Sequence, residues 1–138
     1  MKILVACTGN SCRSQMAEGI LKTLMPAANI FSAGIKPEKT ISSYAVAVMN
    51  EKNIDISEQY PKNIRKFKTE SFDFLISFSE SAENNSHFIN SKNRLHFKIS
   101  DPFEVEGAEE EILQEYRKTR AVIFLKLQEF VNTYETQF

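Results

Sequence analysis

Hydrophobic and polar positions change period several times along this chain. Short apolar runs bounded by turn residues are typical of buried strands, and they predict strands at residues 2–6, 29–33, 72–78 and 94–99. Apolar residues that recur every three or four positions are typical of helices packed on a core, and they predict helices at residues 14–25, 44–50 and 108–134. Strands that alternate with helices indicate an α/β fold, in which helices cover both faces of a parallel sheet and ligands bind at the carboxyl ends of the strands.

The segment between the first predicted strand and the first predicted helix reads Cys-Thr-Gly-Asn-Ser-Cys-Arg-Ser, residues 7–14. A loop that reverses direction there can point successive backbone N–H groups at one position, and such a nest binds phosphate-like anions. Gly9 and Asn10 both tolerate a left-handed backbone, and the planar guanidinium of Arg13 can grip two oxygens of one anion. We therefore expect an oxyanion site built and shaped by Thr8, Gly9, Asn10, Ser11, Cys12, Arg13 and Ser14.

Cys7 stands at the mouth of this nest. The loop amides, the helix N-terminus and Arg13 all favour negative charge there, so we expect the thiolate, a nucleophile, to be the resting form near neutral pH. Ser14 follows the arginine directly and can donate a hydrogen bond to the sulfur. A purely structural turn with two buried thiols is the alternative, but the preceding strand and the following helical run make coincidence improbable.

Composition narrows the function classes further. The 138 residues predict one domain over 1–138, and 17 basic against 18 acidic residues give a net charge of −1. This balance favours neither nucleic acid nor a membrane surface as partner. Two cysteines do not make a disulfide framework, and no targeting segment is apparent, so we expect a cytoplasmic protein. We expect no cofactor and no metal, since the two histidines, His87 and His96, lack ligand spacing.

Ester cleavage by a thiolate also needs a proton donor for the leaving oxygen. Asp101 follows the fourth predicted strand, where the carboxyl ends of the strands gather, and Pro102 restricts the loop that carries it. We expect Asp101 to be the general acid. The alternative is an ordinary Asp-Pro turn that ends a strand.

Residues 7–19 resemble the active-site loop of the low-molecular-weight protein tyrosine phosphatase superfamily, and in detail its arsenate reductase-like branch. Further similar segments are residues 31–35, 54–57, 101–102 and 115–120. The resemblance implies a three-layer α/β/α fold with a four-stranded parallel sheet. It also implies that Cys7 is the nucleophile that forms a cysteinyl-phosphate, that Arg13 and the loop amides bind the oxyanion, that Ser14 stabilises the thiolate and that Asp101 is the general acid.

The chain departs from the reductase branch after the third predicted strand. Thioredoxin-coupled arsenate reductases of this kind carry two further cysteines there, whereas this chain aligns Ser79 and Ser86 with them. Serine cannot form a disulfide, so an internal three-cysteine relay is excluded. A route that uses an external small thiol or a glutaredoxin-type or thioredoxin-type donor remains open.

The roles of Cys12 and of two aromatic residues each have two interpretations. Cys12 is either a small buried loop residue, which we favour, or a redox partner that protects Cys7 as a disulfide. Phe103 and Tyr44 either line a substrate pocket or pack as ordinary structural residues. Some reductases of this fold hold a cation near the positions of Asn10, Glu18 and Ser32, and Lys62 aligns loosely with an acidic member of that site, so an ammonium is a candidate replacement for the ion.

Three functions therefore stand. The first is hydrolysis of a phosphotyrosine or aryl phosphate, whether on a protein or in a small ester. The second is reduction of arsenate with an external thiol, which shares the first chemical step. The third, a non-catalytic module that binds a phosphorylated ligand, is disfavoured because Cys7, Arg13 and Asp101 are all present.

Overall fold

The computed structural model describes residues 1–134, in which strands and helices alternate. The strands are β1 (Lys2–Cys7), β2 (Asn29–Gly34), β3 (Ser71–Ser77) and β4 (Asn90–His96). The α-helices are α1 (Arg13–Leu24), α2 (Ser43–Asn50), α3 (Glu80–Asn84) and α4 (Glu109–Tyr134). Two short 3-10 turns span Ile64–Phe67 and Pro102–Glu104. Within residues 1–134, no helix is long and apolar enough to cross a membrane.

The four strands form one parallel sheet in the order β2-β1-β3-β4. Side chains of the central strand β1 alternate between two cores: Ile3 and Val5 pack under α1, α2 and α4, while Leu4 and Ala6 pack on the opposite face. That second face is covered by α3 and by the turn at Ile64–Phe67. The predicted α/β fold with a four-stranded parallel sheet is therefore confirmed.

The structure places β4 about four residues earlier in the chain than the sequence predicts. The apolar residues Leu95, Phe97 and Ile99 placed the strand at 94–99, but pairing with β3 runs over Asn90–His96. β4 is an edge strand, so its first residues are exposed and polar and carry no hydrophobic signal. The short helix α3 was not predicted, because five residues are too few for a helical period to emerge.

Segments that follow β1, β3 and β4 meet at the carboxyl edge of the sheet. The Phe78 N–H donates to the Ala6 carbonyl at 2.9 Å, and the Ile99 N–H donates to the Phe78 carbonyl at 3.3 Å. The chain after β4 thus continues beside the segment that follows β3, and Asp101 lies next to the loop that follows β1.

Candidate active site

The backbone of residues 7–14 curls between β1 and α1. Asn10 adopts a left-handed conformation with φ of 50°, as expected, but Gly9 does not. A Cβ at Gly9 would lie 3.1 Å from Glu38 Cγ, a close contact that a small movement of the exposed Glu38 side chain relieves. Gly34, at the end of β2, is needed for space, since a Cβ there would lie 2.8 Å from the Thr8 carbonyl oxygen. The sequence prediction missed this role of Gly34.

The Cys7 sulfur receives polar contacts from two residues of the loop. The Asn10 N–H donates to Cys7 Sγ at 3.3 Å, and Ser14 Oγ lies 2.9 Å from the same sulfur. Asn10 Nδ2 also donates to Ser14 Oγ at 2.7 Å. Because Ser14 accepts from Asn10, its own hydroxyl hydrogen is left to point at the sulfur. Two hydrogen-bond donors are therefore directed at the Cys7 sulfur.

The first turn of α1 is open to an anion. Its N-cap, Cys12, makes no side-chain cap, so the first helical amides are available to a ligand. Arg13 is 7% exposed, and its Nη1 donates to the Ile99 carbonyl at 2.9 Å. That bond fixes the guanidinium beside the loop, and its Nη2 lies 3.5 Å from Asp101 Oδ2.

Asp101 is held by its own turn. Its Oδ1 accepts from the Phe103 N–H at 3.0 Å, and it caps the turn at Pro102–Glu104. The carboxylate is partly exposed and lines a small pocket of about 70 Å³. The other lining residues are Cys7, Thr8, Gly9, Asn10, Ser11, Cys12, Arg13, Glu38 and Phe103. Ser14 is fully buried behind them.

Residues 59–62 brace the loop from behind, which the sequence prediction did not foresee. Gln15 Nε2 donates to the carbonyls of Asn10 and Tyr60, both at 2.9 Å, and the Lys62 N–H donates to Asn10 Oδ1 at 2.8 Å. These bonds hold both the backbone and the side chain of Asn10, the residue that carries the left-handed turn.

The Lys62 ammonium lies among the residues of the candidate cation site. Ser32 Oγ donates to Glu18 Oε1 at 2.5 Å, and Lys62 Nζ lies 3.5 Å from Ser32 Oγ and 3.9 Å from Glu18 Oε1. Burial lowers the pKa of Lys62, and Glu18 opposes that shift. Within residues 1–134, no group of three or more His, Cys, Asp or Glu side chains is arranged to hold a metal ion.

Ser79 and Ser86, the two serines aligned above with the relay cysteines, lie near α3. Ser79 caps this helix by accepting from the Ala82 N–H, and Thr8 Oγ1 donates to Ser79 Oγ at 3.1 Å. Ser79 therefore contacts the loop of residues 7–14 itself. Ser86 is buried, and its carbonyl accepts from Arg94.

Cys12 is a free, buried thiol like Cys7. Burial, together with the negative charges of Cys7 and Asp101, raises the pKa of the Cys12 thiol well above its ordinary value. A protonated thiol is a poor nucleophile, so these surroundings favour the interpretation of Cys12 as a loop residue.

A groove of about 540 Å³ adjoins the pocket that Cys7 lines, and Tyr44 and Phe103, the two predicted substrate-pocket residues, line this groove. Tyr44 packs on Tyr116, with ring centroids 5.4 Å apart, while Phe103 is 63% exposed. Burial raises the pKa of Tyr116 to about 12, so it stays neutral. The groove and the pocket share Ser11, Glu38 and Phe103.

Known proteins similar to this chain cover nearly its whole length. Two curated relatives named arsenate reductase, from Halalkalibacterium halodurans and Bacillus licheniformis, are 35% and 36% identical over 133 and 135 residues, which is 95% and 96% of both chains. A solved structure described as an arsenate reductase in the phosphate binding state is 27% identical, with a TM-score of 0.77 over 96% of this chain and 97% of that one.

The family model described as low molecular weight phosphotyrosine protein phosphatase matches residues 2–137. This match and the relatives confirm the resemblance found in the sequence. The chain belongs to the low molecular weight phosphotyrosine protein phosphatase family and is similar to its arsenate reductase-like members.

Proposed function

We propose that this chain is a cysteine-dependent phosphatase that hydrolyses a phosphotyrosine or aryl phosphate monoester. The observation that carries the proposal is that a carboxyl group, Asp101, lines the same small pocket as Cys7 and Arg13. A general acid is what separates cleavage of an ester from simple binding of an anion.

In the first step the Cys7 thiolate attacks phosphorus while Arg13 and the loop amides hold the phosphoryl oxygens. The S–P bond forms, the P–O bond to the organic group breaks, and Asp101 gives its proton to the leaving oxygen. In the second step Asp101 takes a proton from water, the water oxygen attacks phosphorus, and the S–P electron pair returns to Cys7. The products are an alcohol or phenol and inorganic phosphate.

The groove beside the pocket supports an organic leaving group. Its walls include Ile41, Tyr44, Pro102, Val105 and Ile112. These side chains suit an aromatic ring, which gains from contact with aromatic and aliphatic surfaces. Arsenate, in contrast, carries no organic part that such a groove would bind.

Arsenate reduction is the second candidate function, and sequence similarity favours it over hydrolysis, since the relatives at 33–36% identity are named arsenate reductase. In this reaction Cys7 attacks arsenic and a water molecule leaves. An external thiol then attacks the Cys7 sulfur, the S–As electron pair leaves with arsenic as arsenite, and a second thiol reduces the mixed disulfide. A glutaredoxin-type or thioredoxin-type donor fits this role, because the relay positions hold Ser79 and Ser86. A reducing compartment such as the cytoplasm suits both candidates.

One experiment separates the two candidates. Purified protein is offered para-nitrophenyl phosphate, and separately arsenate with glutathione and glutaredoxin or with thioredoxin. We expect phosphate release, its complete loss in Cys7→Ser, and a loss of roughly 10²–10⁴-fold in Asp101→Asn, as removal of a general acid typically costs. Asparagine keeps an oxygen for the Phe103 N–H, so the turn is preserved.

Asp55→Asn is the matched control. Asp55 is exposed and accepts from the Ser57 N–H at 2.9 Å, the same turn geometry away from the pocket. Full activity is expected in this variant. Arsenite formation that far outpaces phosphate release would replace the first candidate with the second, and inactivity in both assays would reject both.

A further inference from the structure

Glu38 is an acidic residue at the mouth of a pocket built for anions. Its N–H donates to the Gly9 carbonyl at 2.9 Å, and the Lys36 N–H donates to the Thr8 carbonyl at the same distance. Residues 36–38 therefore run beside the catalytic loop, and the position of Glu38 relative to that loop is fixed by backbone bonds.

The Glu38 side chain reaches the site itself. A Cβ built on Gly9 would lie 3.1 Å from Glu38 Cγ and 3.7 Å from Glu38 Oε1. Glu38 lines both the catalytic pocket and the adjoining groove. Among residues 1–134, its carboxylate has no hydrogen-bond or ion-pair partner, so its charge is available to whatever enters the groove.

The Glu38 carboxylate, where the pocket meets the groove, repels a bound oxyanion. For the phosphoryl group itself, the attraction of Arg13 and the loop amides outweighs this repulsion, because these groups surround the position of the oxyanion. The part of the substrate just outside the pocket faces Glu38 instead. Lys39 also lines the groove but not the pocket, so it lies farther from the reacting group.

We propose that Glu38 is a specificity-determining residue that favours substrates with a positive charge beside the phosphorylated ring and disfavours those with a negative charge there. The inference rests on the proposed hydrolysis and names its substrate class: phosphotyrosine flanked by basic residues. Like charges juxtaposed across an interface are unfavourable, and opposite charges raise the rate of encounter.

The test uses peptides with one phosphotyrosine, flanked by lysines, glutamines or glutamates, so that the leaving group stays the same. We expect kcat/KM to be about three- to tenfold higher for the lysine peptide than for the glutamate peptide, and this ratio to fall by a similar factor in Glu38→Gln. High salt should reduce the wild-type ratio. Glu104→Gln is the matched control, because Glu104 is exposed in the turn directly after Phe103 but lines neither cavity.

A second measurement does not need turnover. Cationic and anionic methanethiosulfonate reagents of similar size modify Cys7, and we expect Glu38→Gln to lower the ratio of the cationic rate to the anionic rate while Glu104→Gln leaves it unchanged. Absence of hydrolysis of para-nitrophenyl phosphate would reject the proposed function while this ratio still tests Glu38. Ratios that do not change in Glu38→Gln, or that change equally in Glu104→Gln, overturn the inference.

Discussion

Cys7 and Cys12 lie in one loop, but their surroundings differ: hydrogen-bond donors contact the Cys7 sulfur, whereas burial and negative neighbours disfavour negative charge on the Cys12 sulfur. The Asn10 N–H and the Ser14 hydroxyl both contact the Cys7 sulfur. Cys12 has burial and two negative neighbours, which keep its thiol protonated. Two cysteines five residues apart are thus expected to differ strongly in nucleophilicity.

Alkylation with iodoacetamide at pH 7 tests this difference. We expect the reagent to modify Cys7 first, because the thiolate is the reactive form. Cys12→Ser should react as the wild type does, whereas Cys7→Ser should stay unmodified at pH 7. The raised pKa of Cys12 implies that its reaction becomes appreciable only at a pH well above the ordinary range of a thiol. Peptide mass spectrometry locates the label, and rapid modification of Cys12 at pH 7 would contradict the argument.

Most of the pocket residues found from sequence lie close together in the chain, and Asp101 was found because it directly follows a predicted strand. Cys7, Arg13 and Ser14 belong to one strand-loop-helix segment, whose local pattern already implies an anion site. Glu38 and Lys62 reach the site from distant loops. Lys62 was singled out only by its resemblance to a known family. Glu38 looks like an ordinary exposed charge in the sequence, so only the folded backbone reveals its position.

At the scale of elements, the buried strands were the most predictable. β1 is buried on both faces, so its apolar run is continuous. β4 could not be placed correctly, because backbone pairing with β3 defines it while its side chains are largely exposed. Helix α4 was found within one residue, since its buried stripe of Tyr116, Ile123 and Leu127 keeps a helical period.

Helices α2 and α4 are joined by a charged cluster. Glu51, at the end of α2, accepts hydrogen bonds from Arg117 and Arg120 of α4. Arg120 also donates to the Val48 carbonyl at 2.6 Å, near the carboxyl end of α2. The hydrogen bonds from Arg117 and Arg120 lower the pKa of Glu51 to about 2.

This cluster predicts a stability difference that depends on pH. A carboxyl whose pKa is lowered in the folded state stabilises that state above its ordinary pKa, and the contribution is lost as pH falls from about 4.5 to about 2. Glu51→Gln should therefore lower the free energy of unfolding at pH 7 by up to about 1 kcal/mol, the upper end of the range for exposed pairs. Urea unfolding at pH 7, 5, 4 and 3 should show the difference shrinking below pH 4.5.

Glu115→Gln is the control for this prediction. Among residues 1–134, the Glu115 carboxylate pairs only with Lys118 of its own helix, at 3.2 Å, and such pairs contribute little. A gap between wild type and Glu51→Gln that stays constant down to pH 3 would refute the role of the cluster.

At the scale of the whole molecule, the loop of residues 7–14 is bonded to several distant segments of the chain. Thr8 contacts Ser79 at the start of α3, and the Ser11 carbonyl accepts from the Ser42 N–H, at the start of α2. The Lys62 N–H donates to the Asn10 side chain, and the Arg13 guanidinium donates to the Ile99 carbonyl. An oxyanion that binds this loop binds a structure that exists only when these segments are assembled, so binding free energy should appear as stability of the entire fold.

Thermal unfolding with added oxyanion tests this coupling. A ligand at about 100 times its Kd adds about 2.7 kcal/mol of stability, which corresponds to ~10 °C in Tm for a chain of this size. We expect phosphate and arsenate to raise the Tm of the wild type and of Cys7→Ser, because binding does not require covalent attack. Chloride at the same ionic strength should not do so.

The rise in Tm should be largely lost in Arg13→Lys, which lacks the planar fork. It should be retained in Arg65→Lys, where the same change is made at an exposed position. Because each variant is compared with itself with and without oxyanion, any general loss of stability cancels. A full rise in Arg13→Lys would show that the oxyanion stabilises the fold from somewhere other than the loop that follows β1.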